Sequence, residues 1–90
     1  MYRFELFVAG DAVNSAQAVA NLTSICREYL PDRYEIEVVD VFKEPNRALT
    51  QGVFMTPTLM TLAPPPPRRI IGTLSDARIV LLTLGLATPG

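Results

Sequence analysis

The strongest constraint in this chain lies in residues 2–41, where two strand-like runs flank one helical pattern through short links. Tyr2 to Ala9 reads as a strand, with Tyr2, Phe4, Leu6 and Val8 on one face and Phe7 and Ala9 sharing the other with Arg3 and Glu5. Its carboxyl end is apolar on both faces, the mark of a central strand. Gly10-Asp11 closes it with turn chemistry. Asn14 is expected to cap the helix that follows, with Gln17 three residues on completing a capping-box-like pair. Val19, Leu22, Ile25, Cys26 and Tyr29 form its apolar stripe, and Pro31 stops it. Tyr34 to Val41 is the second strand. There Tyr34, Ile36 and Val38 alternate with Glu35 and Glu37, a pattern with one wet face that suits a sheet edge. Strand, helix and strand joined this closely make a right-handed βαβ unit with parallel strands.

The remaining residues add a short helix or turn over Pro45–Gly52 and a strand over Thr58–Leu62. Ala63 then leads into four consecutive prolines, Pro64 to Pro67, and a short strand over Arg68–Ile71. Gly72 breaks that strand, and Ser75 or Thr73 is expected to cap a last helix from about Asp76 to Leu86. The expected fold class is α/β, with element order βαβαββα in a single domain over 1–90. A composition of 49% hydrophobic and 19% charged residues is globular and not disordered. A net charge of −1 offers no cationic surface for nucleic acid. Arg3 and Glu5 interrupt the amino-terminal run, so it does not read as a signal peptide, and no uncharged apolar run is long enough to span a membrane. The expected compartment is the cytoplasm.

Met55-Thr56-Pro57-Thr58-Leu59 is the most specific local signal. Proline immediately before a strand cannot join the ladder as a donor. In a βαβαββα chain this is where thioredoxin-like folds place a cis-proline, so Thr56-Pro57 is expected to be cis; an ordinary trans proline at a strand start is the alternative. The redox motif of such folds is absent. Where a low-pKa cysteine would meet the first helix the chain reads Gly10-Asp11-Ala12-Val13-Asn14-Ser15. The single cysteine, Cys26, lies well inside the helix and is expected to be a small buried apolar residue. With no histidine in the chain, Ser15 has no evident base. No carboxylate pair shares a helix face, and Gly10 stands alone without a phosphate loop around it. No catalysis, metal or cofactor is expected.

Val8-Ala9-Gly10, Asn14-Ser15, Val39-Asp40-Val41, Lys43-Glu44-Pro45, Thr56-Pro57-Thr58-Leu59 and the run from Pro64 through Arg68-Arg69-Ile70-Ile71-Gly72 to Leu74-Ser75-Asp76 follow in order. Together they resemble the KaiB family of bacterial clock proteins, over about Phe4 to Leu84. The resemblance implies a non-catalytic protein that binds the hexameric ATPase KaiC and helps sequester KaiA. It also implies a surface for which the sensor region of a clock-output histidine kinase competes. Some members interconvert between a thioredoxin-like form and a tetrameric form of order βαββααβ, rearranged from about Gln51 onward, and both arrangements stay open here. The short apolar run Ile79-Val80-Leu81-Leu82 suits strand or helix, and Ile79, Val80, Thr83 and Gly85 weaken it as a helix.

On this basis Asn14, Ser15, Ala18, Leu22, Glu35, Glu37 and Asp40 are expected in or near the partner surface. Pro57, Pro64, Pro65, Pro66 and Gly72 are expected to be structural or switch-related. Thr83 and Gly85 join that set, standing where the family usually has Gly and Asp. Glu35 and Glu37 occupy a strand where the family often has a basic residue, which points to a divergent member with its own KaiC-like ATPase in a timer or stress role. A homodimer or tetramer is expected. The other functional class is a thioredoxin-like sensor or glutathione-type binding domain without redox activity, because free N–H groups near Ser75-Asp76 attract anions.

Overall fold

The computed structural model describes residues 1–87. The elements run β1 (Tyr2–Val8), α1 (Val13–Tyr29), β2 (Tyr34–Asp40), α2 (Pro45–Thr50), β3 (Thr58–Ala63), β4 (Arg68–Ile71) and α3 (Ala77–Thr83). This is the βαβαββα order and not βαββααβ. The last residues of the expected 1–90 domain, 88–90, lie outside the described residues.

The sheet order is β2-β1-β3-β4, so β1 is central and β2 is an edge, as their patterns imply. β1 pairs in parallel with β2, Tyr2 opposite Tyr34 through Val8 opposite Asp40. It pairs antiparallel with β3, with a register shift between Arg3 and Phe4 that leaves Leu62 as the extra residue of a bulge. β3 and β4 form a hairpin across the proline run, Thr61 opposite Arg68.

The two faces are covered unequally. Phe4, Leu6 and Val8 of β1 and Leu59 of β3 pack on Ala18, Leu22, Ile25 and Cys26 of α1 and on Val80 and Leu81 of α3. On the opposite face Phe7, Val39 and Met60 meet Ala48 of α2, Val53 beyond it and the partly buried Val41. The larger cluster forms because the stripe of α1 and the even-numbered residues of β1 repeat at matching spacings.

Two helix starts differ from expectation. α1 begins at Val13 with Ala12 as N-cap and no side-chain cap bond. Asn14 is therefore already helical, and the nearby hydroxyl of Ser15 turns back to accept from the Ala9 N–H at 3.0 Å. α3 is shorter than expected and is capped by Asp76, not Ser75 or Thr73, because Asp76 Oδ1 accepts from the Ile79 N–H at 3.3 Å. The Thr56-Pro57 bond is cis as expected; Ala63-Pro64 and Pro65-Pro66 are also cis, which was not foreseen.

Arg68 and Arg69 are neighbours on a strand and so point to opposite faces. Arg68 donates to the Thr83 carbonyl at the end of α3. Arg69 donates to the carbonyls of Gln51 and Gly52, at 2.5 and 2.9 Å, at the end of α2. Each cation meets a helix carboxyl end, where the dipole is negative.

Leu22 is fully buried in the larger cluster. Leu22→Ala is expected to destabilise the fold by about 2–5 kcal/mol through lost burial plus a cavity. The check is a lower urea midpoint with an unchanged slope.

Candidate functional site

The parallel pair β1–β2 ends at a junction held by one carboxylate. Asp40 Oδ1 accepts from the Gly10 N–H at 3.3 Å and from the Phe42 N–H at 2.9 Å, tying together the loops that leave both strands. Gly10 has φ +53, a left-handed conformation that favours a residue without a Cβ. Beside this junction α1 and β2 form an open groove of about 440 Å³, lined mainly by apolar groups including Val8, Ala16, Val19 and Val38. Val38 is 47% exposed and Val13, at the start of α1, is 72% exposed.

The backbone of β2 is free on its outer side. The Tyr2 N–H donates to the Arg33 carbonyl at 2.7 Å and the Val41 N–H to the Val8 carbonyl at 2.9 Å, so odd-numbered residues face β1. In a parallel ladder the alternate residues then point away. Tyr34, Ile36 and Val38 accordingly present unpaired N–H and C=O groups, and among the described residues no strand covers them, whereas the Asp40 carbonyl accepts from the Lys43 and Glu44 N–H groups at 3.1 and 2.9 Å.

On the α2 face, Arg47 gathers carboxylates from three elements. Its Nη1 donates to Glu37 Oε2 at 2.7 Å, and its Nη2 donates to Glu37 Oε1 at 2.9 Å and to Glu5 Oε2 at 2.5 Å. Glu44 lies 3.4 Å away at i,i+3 spacing. The hydrogen bond from Arg47 holds the Glu37 carboxyl below its ordinary 4.5, and the guanidinium is in turn pushed further up its own range, first by Glu37 and then by Glu5. Sequence reading missed this centre. Only the Glu44–Arg47 spacing was legible locally, since Glu5 and Glu37 reach Arg47 across the fold.

The expected partner residues divide. Glu35 and Glu37 are exposed on β2, Asn14 is exposed on the first turn of α1, and Asp40 is half-buried at the junction. Ser15, Ala18 and Leu22 are each at most 2% exposed, because that side of α1 faces the sheet, so they lie beneath the surface and not on it. Ser15 lines the groove and fixes Ala9 without presenting a free hydroxyl.

Among the expected structural residues, Pro57 accepts at its carbonyl from the Gly72 N–H at 2.9 Å, joining the approach to β3 to the exit from β4. Pro64, Pro65 and Pro66 form the exposed β3–β4 turn. Thr83 Oγ1 donates to the Ile79 carbonyl, and Gly85, at φ +75, ends α3. Cys26 is fully buried, and burial pushes its thiol up to about 11. Such a thiol stays protonated at neutral pH and is a poor nucleophile. Among the described residues no three His, Cys, Asp or Glu side chains converge on a metal-sized site.

The chain matches the family model described as the KaiB domain over residues 5–86. It is 44% identical over 85 residues to "Circadian clock protein KaiB3" of Synechocystis sp., covering 94% of this chain and 83% of that relative. It is 42% identical to "Circadian clock oscillator protein KaiB" of Microcystis aeruginosa, covering 94% of this chain and 82% of the relative. This chain belongs to the KaiB family. Its membership carries a clock-protein role. The fold of this KaiB chain is thioredoxin-like. It aligns with chloroplastic thioredoxin z at a TM-score of 0.77 and 19% identity, covering 96% of this chain and 78% of that one. It also aligns with mitochondrial thioredoxin 3 of Saccharomyces cerevisiae at 0.75 and 19%, covering 94% and 78%. At that identity the likeness is one of fold alone.

Two outcomes are expected of this KaiB chain. Cys26 should resist a thiol-reactive disulfide reagent at pH 8 in the native state and react at once in denaturant. Arg47→Met should be less stable than the natural sequence at pH 7. Because Glu37 has its folded-state value lowered from 4.5, the stability the pair supplies is present above that pH and is lost as pH falls through the lowered value. Urea midpoints of the two proteins should therefore converge on acidification below 4.5.

Proposed function

We propose that this chain is a non-catalytic clock or timer protein that binds a KaiC-type hexameric ATPase and modulates its phosphorylation or output. The observation that carries the reading is the free outer edge of β2 beside the α1–β2 groove. Adding a partner strand to an open edge binds through main-chain hydrogen bonds, and a neighbouring apolar groove reads the partner's side chains. Asn14, Glu35, Glu37 and Asp40 border that surface, while Ser15, Ala18 and Leu22 support it from beneath. The same edge admits competitors, a KaiA-type protein or a kinase sensor region, one at a time.

Family membership supports a cytoplasmic setting alongside such an ATPase. No helix among the described residues is long and apolar enough to cross a membrane. The free protein is expected as a dimer or tetramer, joined through a surface other than a β2–β2 pairing, so that the β2 edge stays available to the ATPase.

Native mass spectrometry of this protein with the KaiC-type ATPase of its own source, as a phosphomimetic hexamer, tests the reading. Hexamers carrying up to six copies (one per subunit) are expected. No complex with a demonstrably active ATPase overturns it. Val38→Pro removes an outward N–H and spares the ladder to β1, a placement edge strands tolerate. It should keep the native circular dichroism and weaken the complex about tenfold, the loss of roughly one hydrogen bond.

A further inference from the structure

The face of the sheet that carries α2 is covered only over its carboxyl-end half. Arg3 stands opposite Glu35 and Glu5 opposite Glu37 in the parallel register, so all four side chains share this face. α2 reaches Phe7 and Val39, one step further along both strands. Short of it lies an open cleft of about 210 Å³ lined by Arg3, Glu5, Glu35, Glu37 and Leu62. Leu62, the bulge residue of β3, gives it an apolar wall and is 41% exposed.

The charge at this cleft is lopsided. The ion pairs join four carboxylates, Glu5, Glu35, Glu37 and Glu44, to two guanidiniums, Arg3 and Arg47. With Glu44, which pairs with Arg47 beside the cleft and does not line it, the cluster carries an excess of two negative charges, in a chain whose formal net charge is −1. One oxygen also lacks a partner. Glu5 is nine-tenths buried; its Oε2 takes Arg47, and its Oε1 is shielded from solvent with no hydrogen-bond donor. A buried carboxylate oxygen without a donor is costly and marks a place where a donor is missing.

We propose that this cleft docks an extended, basic segment of a partner protein, with one Lys or Arg side chain completing Glu5 and another lying against Glu35. The inference rests on the reading of β2 as the docking edge and adds the chemistry of what arrives there. A second copy of β2 is a poorer occupant. The antiparallel register in which two copies of β2 overlap over their whole length sets Glu37 against itself, and the register that pairs Tyr34 with Val38 sets Glu35 against Glu37; like charges across a pair are destabilising. Nucleic acid is repelled by the same excess. A strand with basic side chains on one face places them over the carboxylates and its apolar side chains against the α1–β2 groove.

The test uses the whole ¹⁵N-labelled protein and two synthetic peptides, one alternating Arg with Val and one alternating Glu with Val. The Arg peptide is expected to shift the amides of Arg3, Glu5, Glu35 and Glu37 and to weaken several-fold between about 50 and about 200 mM salt, where the screening length shortens. Glu35→Gln, at an exposed pair, should weaken it about threefold. Glu35→Lys should transfer the preference to the Glu peptide. Glu5→Gln, folded by circular dichroism, should weaken the Arg peptide more than Glu35→Gln does. Shifts confined to other elements, equal binding of both peptides, or full displacement of the Arg peptide by an equal charge of spermidine each overturn the proposal.

The hexamer titration separates the two readings. A hexamer that binds the natural protein and Glu35→Lys equally overturns the basic-segment inference and leaves the ATPase reading intact. Arg-peptide binding without any hexamer complex does the reverse.

Discussion

The structure depends on β1 being hydrogen-bonded on both sides and apolar on both faces. β2 runs parallel to it and β3 antiparallel, so the βαβ unit and the β3–β4 hairpin share one strand. The parallel pair needs a crossover, and α1 supplies it over the even-numbered face of β1. The antiparallel pair brings the segment before β3 to the same end of the sheet as the exits from β1, β2 and β4. That end therefore holds the cis Thr56-Pro57 bond, the Asp40 junction and the start of α1 together. In a thioredoxin-like enzyme the same end supports thiol chemistry. Here the position that would carry a reactive sulfur holds small residues and a buried serine hydroxyl, and the only thiol is locked in the core. The architecture is kept without a thiol at that position, and the surface there offers shape, charge and an open edge.

Much of this was legible in the sequence because it follows from period and punctuation. Alternation placed Phe4, Leu6 and Val8 on one face and marked β2 as the edge. Pro31 and Gly72 ended their elements where expected. The thioredoxin-like order and the cis bond at Pro57 were read from Thr56-Pro57-Thr58 in its context. What failed was mostly the assignment of helix caps. Ala18 and Leu22 share the stripe that buries Cys26; the periodicity already placed Leu22 on that stripe, and both residues underlie the α1 surface without reaching it. Asn14 looked like a cap because its side chain suits that role, yet the cap position falls two residues earlier, at Ala12, and Ser15 makes the local bond instead. Of the Arg47 cluster only the i,i+3 spacing of Glu44 was legible. Its other two acids, Glu5 and Glu37, lie on separate strands, and only the parallel register aligns them beneath α2.

The unequal cover of the two faces links stability to recognition. α1 and α3 bury one face thoroughly, so the larger cluster can stabilise the fold with little help from the other side. The smaller cluster beneath α2 has few members, and the ion pairs of Arg47 reinforce it. Exposed pairs of this kind contribute little each, but the contact with Glu5 is largely removed from water and weighs more. Losing Arg47 would leave a buried carboxylate without any donor, a larger penalty than the pair's own favourable energy. The region is thus held by one cation, next to the edge where a partner would arrive.

The adjacent arginines of β4 impose a further constraint. Because neighbouring strand residues point to opposite faces, one four-residue strand ties down the end of α3 through Arg68 and the end of α2 through Arg69. Arg69 also lies within 3.9 Å of the Met60 sulfur, inside the smaller cluster. Any rearrangement of the segment beyond Gln51 must release both helix ends when β4 leaves the sheet, since neither arginine can keep its carbonyl partner without the strand that aims it. The two faces are in this way coupled through β4. A pair of basic residues that composition alone would set aside as surface charge becomes the element on which the carboxyl-terminal half of the fold closes.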